Sequence, residues 1–147
     1  MREEGKEEIE VHVAGICFDN DKVLALKRSP YRELYPNLWE CGGGQVNRGE
    51  SFDEAVKRQL KEEAGIILGY MKPFGTYEIK IDSEQKIIPG LYYACQIQGY
   101  FNRKCPQISE EHTEWKLQPF FKIDKLEFIP GLKENIKKAY SVFKADV

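Results

Sequence analysis

The chain is poor in several things that would have assigned it to a class at once. It has two histidines, and its four cysteines, Cys17, Cys41, Cys95 and Cys105, form no CxxC pair. Only His12 and His112 could complete a zinc site, so free thiols, buried or half-buried in a reducing cytosol, are expected. No long apolar run and no signal-peptide pattern occurs, so no membrane partner and a cytoplasmic location are expected. Neither sign of charge dominates: 22 basic and 24 acidic residues leave a net charge of -2. That balance offers no footprint for a nucleic-acid polyanion. There is no repeat, linker or low-complexity tract. A length of 147 residues with 41% apolar content suits one domain over residues 1–147 with one sizeable core. The charged start, MREEGKEEIE, is expected to be a flexible lead-in over residues 1–8.

What is present reads as alternating strands and helices. Ile9 to Phe18 alternates and is rich in β-branched residues, as a strand would be. Asp19-Asn20-Asp21 reads as a turn, and Lys22 to Lys27 as the returning strand. Ser29 to Asn37 holds two prolines and reads as a loop; Leu38 to Glu40 is a short extended piece leading into glycines 42–44. Ser51 can cap a helix that runs to Ala64, with Gly65 as its stop. Phe74 to Ile81 and Ile87 to Gln98 suggest a hairpin around Asp82-Ser83-Glu84-Gln85. Trp115 to Ile123 is expected to be a strand interrupted by Pro119. Beyond Pro130-Gly131, the residues Leu132, Ile136, Ala139, Tyr140 and Phe143 recur at helical spacing.

The segment Gly44 to Ile66, GQVNRGESFDEAVKRQLKEEAGI, carries the chemistry. At about 100° per residue, Phe52, Ala55, Val56, Leu60 and Ala64 mark an apolar arc. Asp53, Glu54, Lys57 and Lys61 lie on the opposite side. Gln59 and Glu63 fall inside the apolar arc, with Arg58 and Glu62 at its edge. An inward carboxylate is costly unless something pairs with it, and two adjacent carboxylates repel unless a cation separates them. A metal ion and a bound polyanion would meet both demands.

Gly44, Glu50, Arg58, Leu60, Glu62, Glu63, Gly65 and Ile66 stand in the register of a Nudix box, and the segment resembles that family in all core positions but one. Where the family has the first glutamate after the arginine, this chain has Gln59. The resemblance implies an α/β fold, an α/β/α sandwich with a mixed β-sheet between helices. It also implies a metal-dependent hydrolase that splits a diphosphate bond in a nucleoside diphosphate-linked substrate. Glu62 and Glu63 offer hard oxygen ligands suited to Mg²⁺ or Mn²⁺, and the resemblance adds the carbonyl of Gly43. Arg58 and Glu50 would pair and orient the helix. Lys27 and Arg28, at the end of a strand near the glycines, are candidates for phosphate contact, and Gly44 is a further candidate for substrate binding. Trp39, Tyr31, Phe74 and Phe120 are candidates for stacking on a base. The compact length favours a small nucleoside triphosphate, oxidised ones included, over ADP-ribose, dinucleoside polyphosphates or nucleotide sugars. The partner is then a small nucleotide, and the chain a monomer or homodimer, with no interface marked in the sequence.

Gln59 opens three explanations, because glutamine cannot accept a proton near neutrality. The missing ligand or base could come from Ile108 to Trp115, which resembles the family segment bearing a distal glutamate. There Glu111 is the first choice for catalysis and metal binding, ahead of Glu110 and Glu114, with His112 as a weaker acid–base candidate. Alternatively, an engineered glutamate-to-glutamine change would trap substrate. Finally, the protein could be a nucleotide-binding or regulatory module with little or no hydrolysis. A reading from another class, an isopentenyl diphosphate isomerase with Cys41 before the glycines, lacks an identifiable proton-transfer pair.

Overall fold

The computed structural model describes residues 8–102 and 104–147, so most of the expected lead-in, residues 1–7, lies outside the described residues. The first strand, β1 (His12–Asp19), returns through a turn at Asn20 into β2 (Lys22–Arg28). Two short strands follow, β3 (Trp39–Glu40) and β4 (Gly42–Gln45), then helix α1 (Phe52–Ala64). Next come β5 (Ile66–Ile81), β6 (Lys86–Tyr100), β7 (His112–Pro119) and helix α2 (Leu132–Asp146). The seven strands make one mixed sheet in the order β3-β2-β1-β6-β5, with β4 on β1 and β7 on β2. β1 pairs parallel with β6, and its other edge is shared by β4 and β2, both antiparallel.

Side chains alternate across a strand, and β1 shows what that does. Ile16 and Phe18 enter a core with Leu132, Ile136, Ala139 and Phe143 of α2. Val13 and Cys17 enter a second core with Ala55, Val56, Leu60 and Ala64 of α1. The helices therefore cover opposite faces of the sheet, and the chain is an α/β/α sandwich.

Some elements differ from the sequence reading. The hairpin strands extend well past Phe74 and Gln98, to Ile66 and Tyr100, because bulges in the β5–β6 ladder absorb the irregular stretch from Ile67 to Gly75. The expected strand Trp115 to Ile123 starts instead at His112 and ends at Pro119. Proline cannot donate to the ladder, and residues Phe120–Lys125 coil into 3₁₀ turns that seat Ile123 in the α2 core. Cys17 and Cys95 are buried and Cys41 is half-buried, but Cys105 is exposed, contrary to expectation.

α1 begins at a capping box. Ser51 Oγ accepts from the Glu54 amide at 3.1 Å, and Glu54 Oε1 accepts from the Ser51 amide at 3.3 Å. Gly65 ends the helix with φ 62°, in the left-handed region. Substituting Ser51 by alanine should cost about 1 kcal/mol of unfolding free energy, read from urea denaturation, with no change in the denaturant slope.

Candidate active site

Helix α1 lies unusually close to β4, and glycines make that approach available. A Cβ on Gly42 would sit 2.6 Å from Leu60 Cδ1, and one on Gly44 would sit 2.5 Å from Gln59 Nε2. With no side chains there, the inward face of α1 meets the β4 backbone. Glu63 Oε2 then accepts a hydrogen bond from the Gly43 amide at 2.7 Å. Glu63 is 7% exposed, a carboxyl group in the protein interior.

A second carboxylate reaches Glu63 from the far side of the cleft. Oxygens of Glu63 and Glu111 and one ring nitrogen of His112 all lie within 4.8 Å of one another. The loop carrying Glu111 is tied to the end of α1: the Gln107 amide donates to Ala64 O at 2.8 Å and the Ser109 amide to Glu63 O at 3.2 Å. Burial, opposed by the Gly43 amide and reinforced by Glu111 and Glu40, pushes the Glu63 carboxyl up to about 9. Burial thus favours the protonated form of Glu63 where no cation is present. The donor set is oxygen-rich and short of positive charge, which fits a hard divalent ion. Glu62, Gln59, Ser109 and Glu110 complete the wall of the same cleft.

Arg58 organises the other flank of the helix. Its Nε donates to Glu50 Oε2 at 2.7 Å and its Nη2 to Glu50 Oε1 at 2.9 Å, a bidentate pair. Nη2 also donates to Gln45 O at 2.8 Å, and Nη1 to Glu62 Oε2 at 3.3 Å. One guanidinium thus joins α1, β4 and the loop between them. Arg58, with help from the Asn47 amide, holds the Glu50 carboxyl down at about 2. Gln59 lies beside this group, its Nε2 donating to Gln45 O at 3.2 Å.

A cavity of about 690 Å³ opens from the glycine strand across the α2 face of the sheet. Gly43, Gly44, Gln59, Glu63 and Glu111 line it, together with Tyr35, Tyr77, Tyr92, Arg32 and Lys80. The four aromatics named from sequence stand elsewhere. Trp39 is buried, Tyr31 is exposed, Phe74 stacks on Tyr92 at 5.8 Å and Phe120 on Tyr140 at 3.8 Å. Tyr77 and Tyr92 could have been found only by pairing β5 with β6, since nothing local marks them. Lys27 pairs with Glu114 at 3.4 Å, which also draws Glu114 away from the cleft. Arg28 lines the cavity but is 8% exposed, with Nη1 donating to Glu40 Oε1 at 2.7 Å and Nε and Nη2 to Leu34 O. Glu40 is a site neighbour that sequence reasoning missed. Cys41 also lines the cavity. Burial, then the carboxylates of Glu40 and Glu63, push its thiol well up, which suppresses the thiolate a nucleophile needs.

A sequence profile of the NUDIX domain matches residues 9–143. The chain belongs to the Nudix family. It is 31% identical over 127 residues to an RNA pyrophosphohydrolase of Campylobacter jejuni, covering 78% of this chain and 76% of that protein. It is 45% identical over 49 residues to the m7GpppN-mRNA hydrolase NUDT17 of Xenopus laevis, across 33% of this chain and 17% of that one. The chain thus spans only a small part of some curated relatives it matches. Among solved structures, it superposes on the NUDIX domain of Shewanella oneidensis NrtR complexed with ADP ribose with a TM-score of 0.76. That match covers 97% of this chain and 94% of the other at 18% identity, a likeness of fold.

A carboxyl whose folded value is raised contributes stability below the ordinary carboxylate range, and loses it as pH climbs towards the folded value. In EDTA, thermal melts of the protein should therefore fall between about pH 5 and pH 9, beyond the slope of Glu63→Gln. Mn²⁺ at pH 8 should raise the melting temperature of the unsubstituted protein and much less that of Glu63→Gln.

Proposed function

We propose that the protein is a divalent-metal-dependent pyrophosphohydrolase acting on a nucleoside diphosphate-linked substrate, with a nucleoside triphosphate as the leading substrate. The observation that carries the proposal is the pairing of a buried carboxyl, Glu63, with the exposed carboxyl of Glu111, both lining a nucleoside-sized cavity. Mg²⁺ or Mn²⁺ would be held by Glu63, Glu111, Glu62 and the Gly43 carbonyl. Such an ion neutralises a diphosphate and makes hydroxide available near neutral pH.

The chain's own groups supply position. The Gly43 amide and the sandwich packing keep Glu63 in one place, while Arg58 and Glu50 hold α1 to the glycine strand. Glu111 enters from a loop and is exposed in the cleft, and would take a proton from attacking water. Gln59 serves as a neutral wall beside it, so hydrolysis does not depend on a carboxylate at that position. The outer cavity takes the nucleoside between tyrosines and the sheet, with Arg32 and Lys80 as nearby cations. Four free cysteines suit a reducing cytosolic compartment. Among the described residues no helix is long and apolar enough to cross a membrane.

The test is turnover of a substrate panel with Mg²⁺ or Mn²⁺ and EDTA controls, reading phosphate and pyrophosphate release. The panel holds ordinary and oxidised nucleoside triphosphates, ADP-ribose, a dinucleoside tetraphosphate and a 5′-triphosphorylated oligoribonucleotide. Metal-dependent release should be strongest from a nucleoside triphosphate, and Glu63→Gln and Glu111→Gln should each lower kcat by a hundredfold or more while binding nucleotide. Nucleotide binding without release from any substrate would instead establish a binding module. Gln59→Glu should leave kcat within a fewfold of the starting protein. A large gain would mean that Gln59 impairs the site.

A further inference from the structure

Beneath the Glu63–Glu111 pair lies a buried polar chain that the proposed reaction does not use. Arg28 Nη1 donates to Glu40 Oε1 at 2.7 Å, and Glu40 Oε2 lies 2.8 Å from His112 Nε2. The His112 side chain has no exposure, and Glu40 and Arg28 are nearly as deep. Glu40 already accepts from a guanidinium, so the imidazole nitrogen facing it is the donor. His112 Nδ1, the other ring nitrogen, is buried with no hydrogen-bond partner among the described residues. Leaving a buried nitrogen unmatched costs stability, which makes simple core filling a poor account of this side chain.

The three residues come from three strands, and their links close a loop. Arg28 is the last residue of β2 and pairs with His112, the first of β7, where the ladder shifts register at Lys27/Arg28. Glu40 closes β3, which pairs with β2 through Leu26 and Lys27. The Ser29 amide also donates to Glu111 O at 3.3 Å. The point at which β7 begins is therefore set by side chains from β2 and β3, and Glu111 is the residue immediately before it.

We propose that His112 is a positioning residue: held by Glu40 and Arg28, it fixes the start of β7 so that the Glu111 carboxylate meets Glu63. The inference rests on the reading of Glu63 and Glu111 as the metal-binding pair. Groups that orient a metal ligand from behind typically change metal affinity or turnover ten- to hundredfold when removed.

The experiment measures Mn²⁺ affinity of the full chain by electron paramagnetic resonance, together with kcat and KM for the best nucleotide. His112→Leu keeps volume but loses the bond to Glu40; His112→Gln places an N–H near the position of Nε2. His112→Leu should weaken Mn²⁺ binding and lower kcat ten- to hundredfold with KM changed less than threefold, and His112→Gln should recover most of both. Glu40→Gln, read in the same way, serves if His112→Leu fails to fold, and should show the same kcat and Mn²⁺ losses. Unchanged Mn²⁺ affinity and kcat in the folded variants would overturn the proposal. So would a directly bound imidazole nitrogen in the Mn²⁺ spectrum, because the ring would then be a ligand rather than a support. Glu111→Gln run alongside separates the two readings. If it too leaves Mn²⁺ binding and kcat intact, the assignment of the pair is wrong; if it abolishes them while His112→Leu does not, only the positioning role fails.

Discussion

The hydrogen bond from the Gly43 amide to the Glu63 carboxyl is the contact on which the site depends. It forms because the glycines of β4 present no side chain to α1. Glycines 42 and 44 leave the space, and Leu60 and Gln59 occupy it. The helix is thereby set at a depth where a carboxyl on its inward face has left water but kept one donor. Burial then raises the energy of its charged form, and that demand for a proton or a cation is the chemical character of the cleft.

Around this contact the molecule separates rigid and approachable parts. Arg58 and Glu50 bind the helix to the glycine strand by a bidentate ion pair, with Gln45 O as a third point. The capping box and Gly65 fix the helix ends. Glu111, by contrast, comes from a loop whose contacts run to the last turn of α1 and to the end of β2. One carboxylate is thus part of the scaffold, and its partner is delivered by a segment whose position other residues must set. The Arg28–Glu40–His112 chain sits where that setting has to occur.

The distribution of charge follows the same division. Lys27 takes Glu114, and Arg28 takes Glu40, so the two cations that end β2 each have a carboxylate partner. Glu62 shares Arg58 with Glu50. Among the described residues, neither Glu63 nor Glu111 has a salt-bridge partner. The proposed metal-bound nucleotide draws on both features, the acid of Glu63 and Glu111 and the cavity lined by Tyr35, Tyr77 and Tyr92.

Much of this was legible in the chain. The spacing from Gly44 to Ile66 places Glu50, Arg58, Glu62 and Glu63 relative to one another because a helix turns by a constant angle per residue, and Ser51 and Gly65 mark its ends by local bonding. The alternation of β1 and the spacing in α2 likewise follow from local geometry, and so does a sandwich with helices on both faces. Strand limits were less legible, since Pro119 and the bulges before Gly75 act through ladder bonds that need a partner strand. The cavity aromatics Tyr77 and Tyr92, the partners of Lys27 and Arg28, and the burial of Glu40 and His112 depend on which strands become neighbours. Residues 40 and 112, seventy-two positions apart, meet only because β3 and β7 both pair with β2. Sequence determined the helix that bears the chemistry; the sheet decided what that helix faces, because contacts between distant segments are set by strand pairing and not by spacing along the chain.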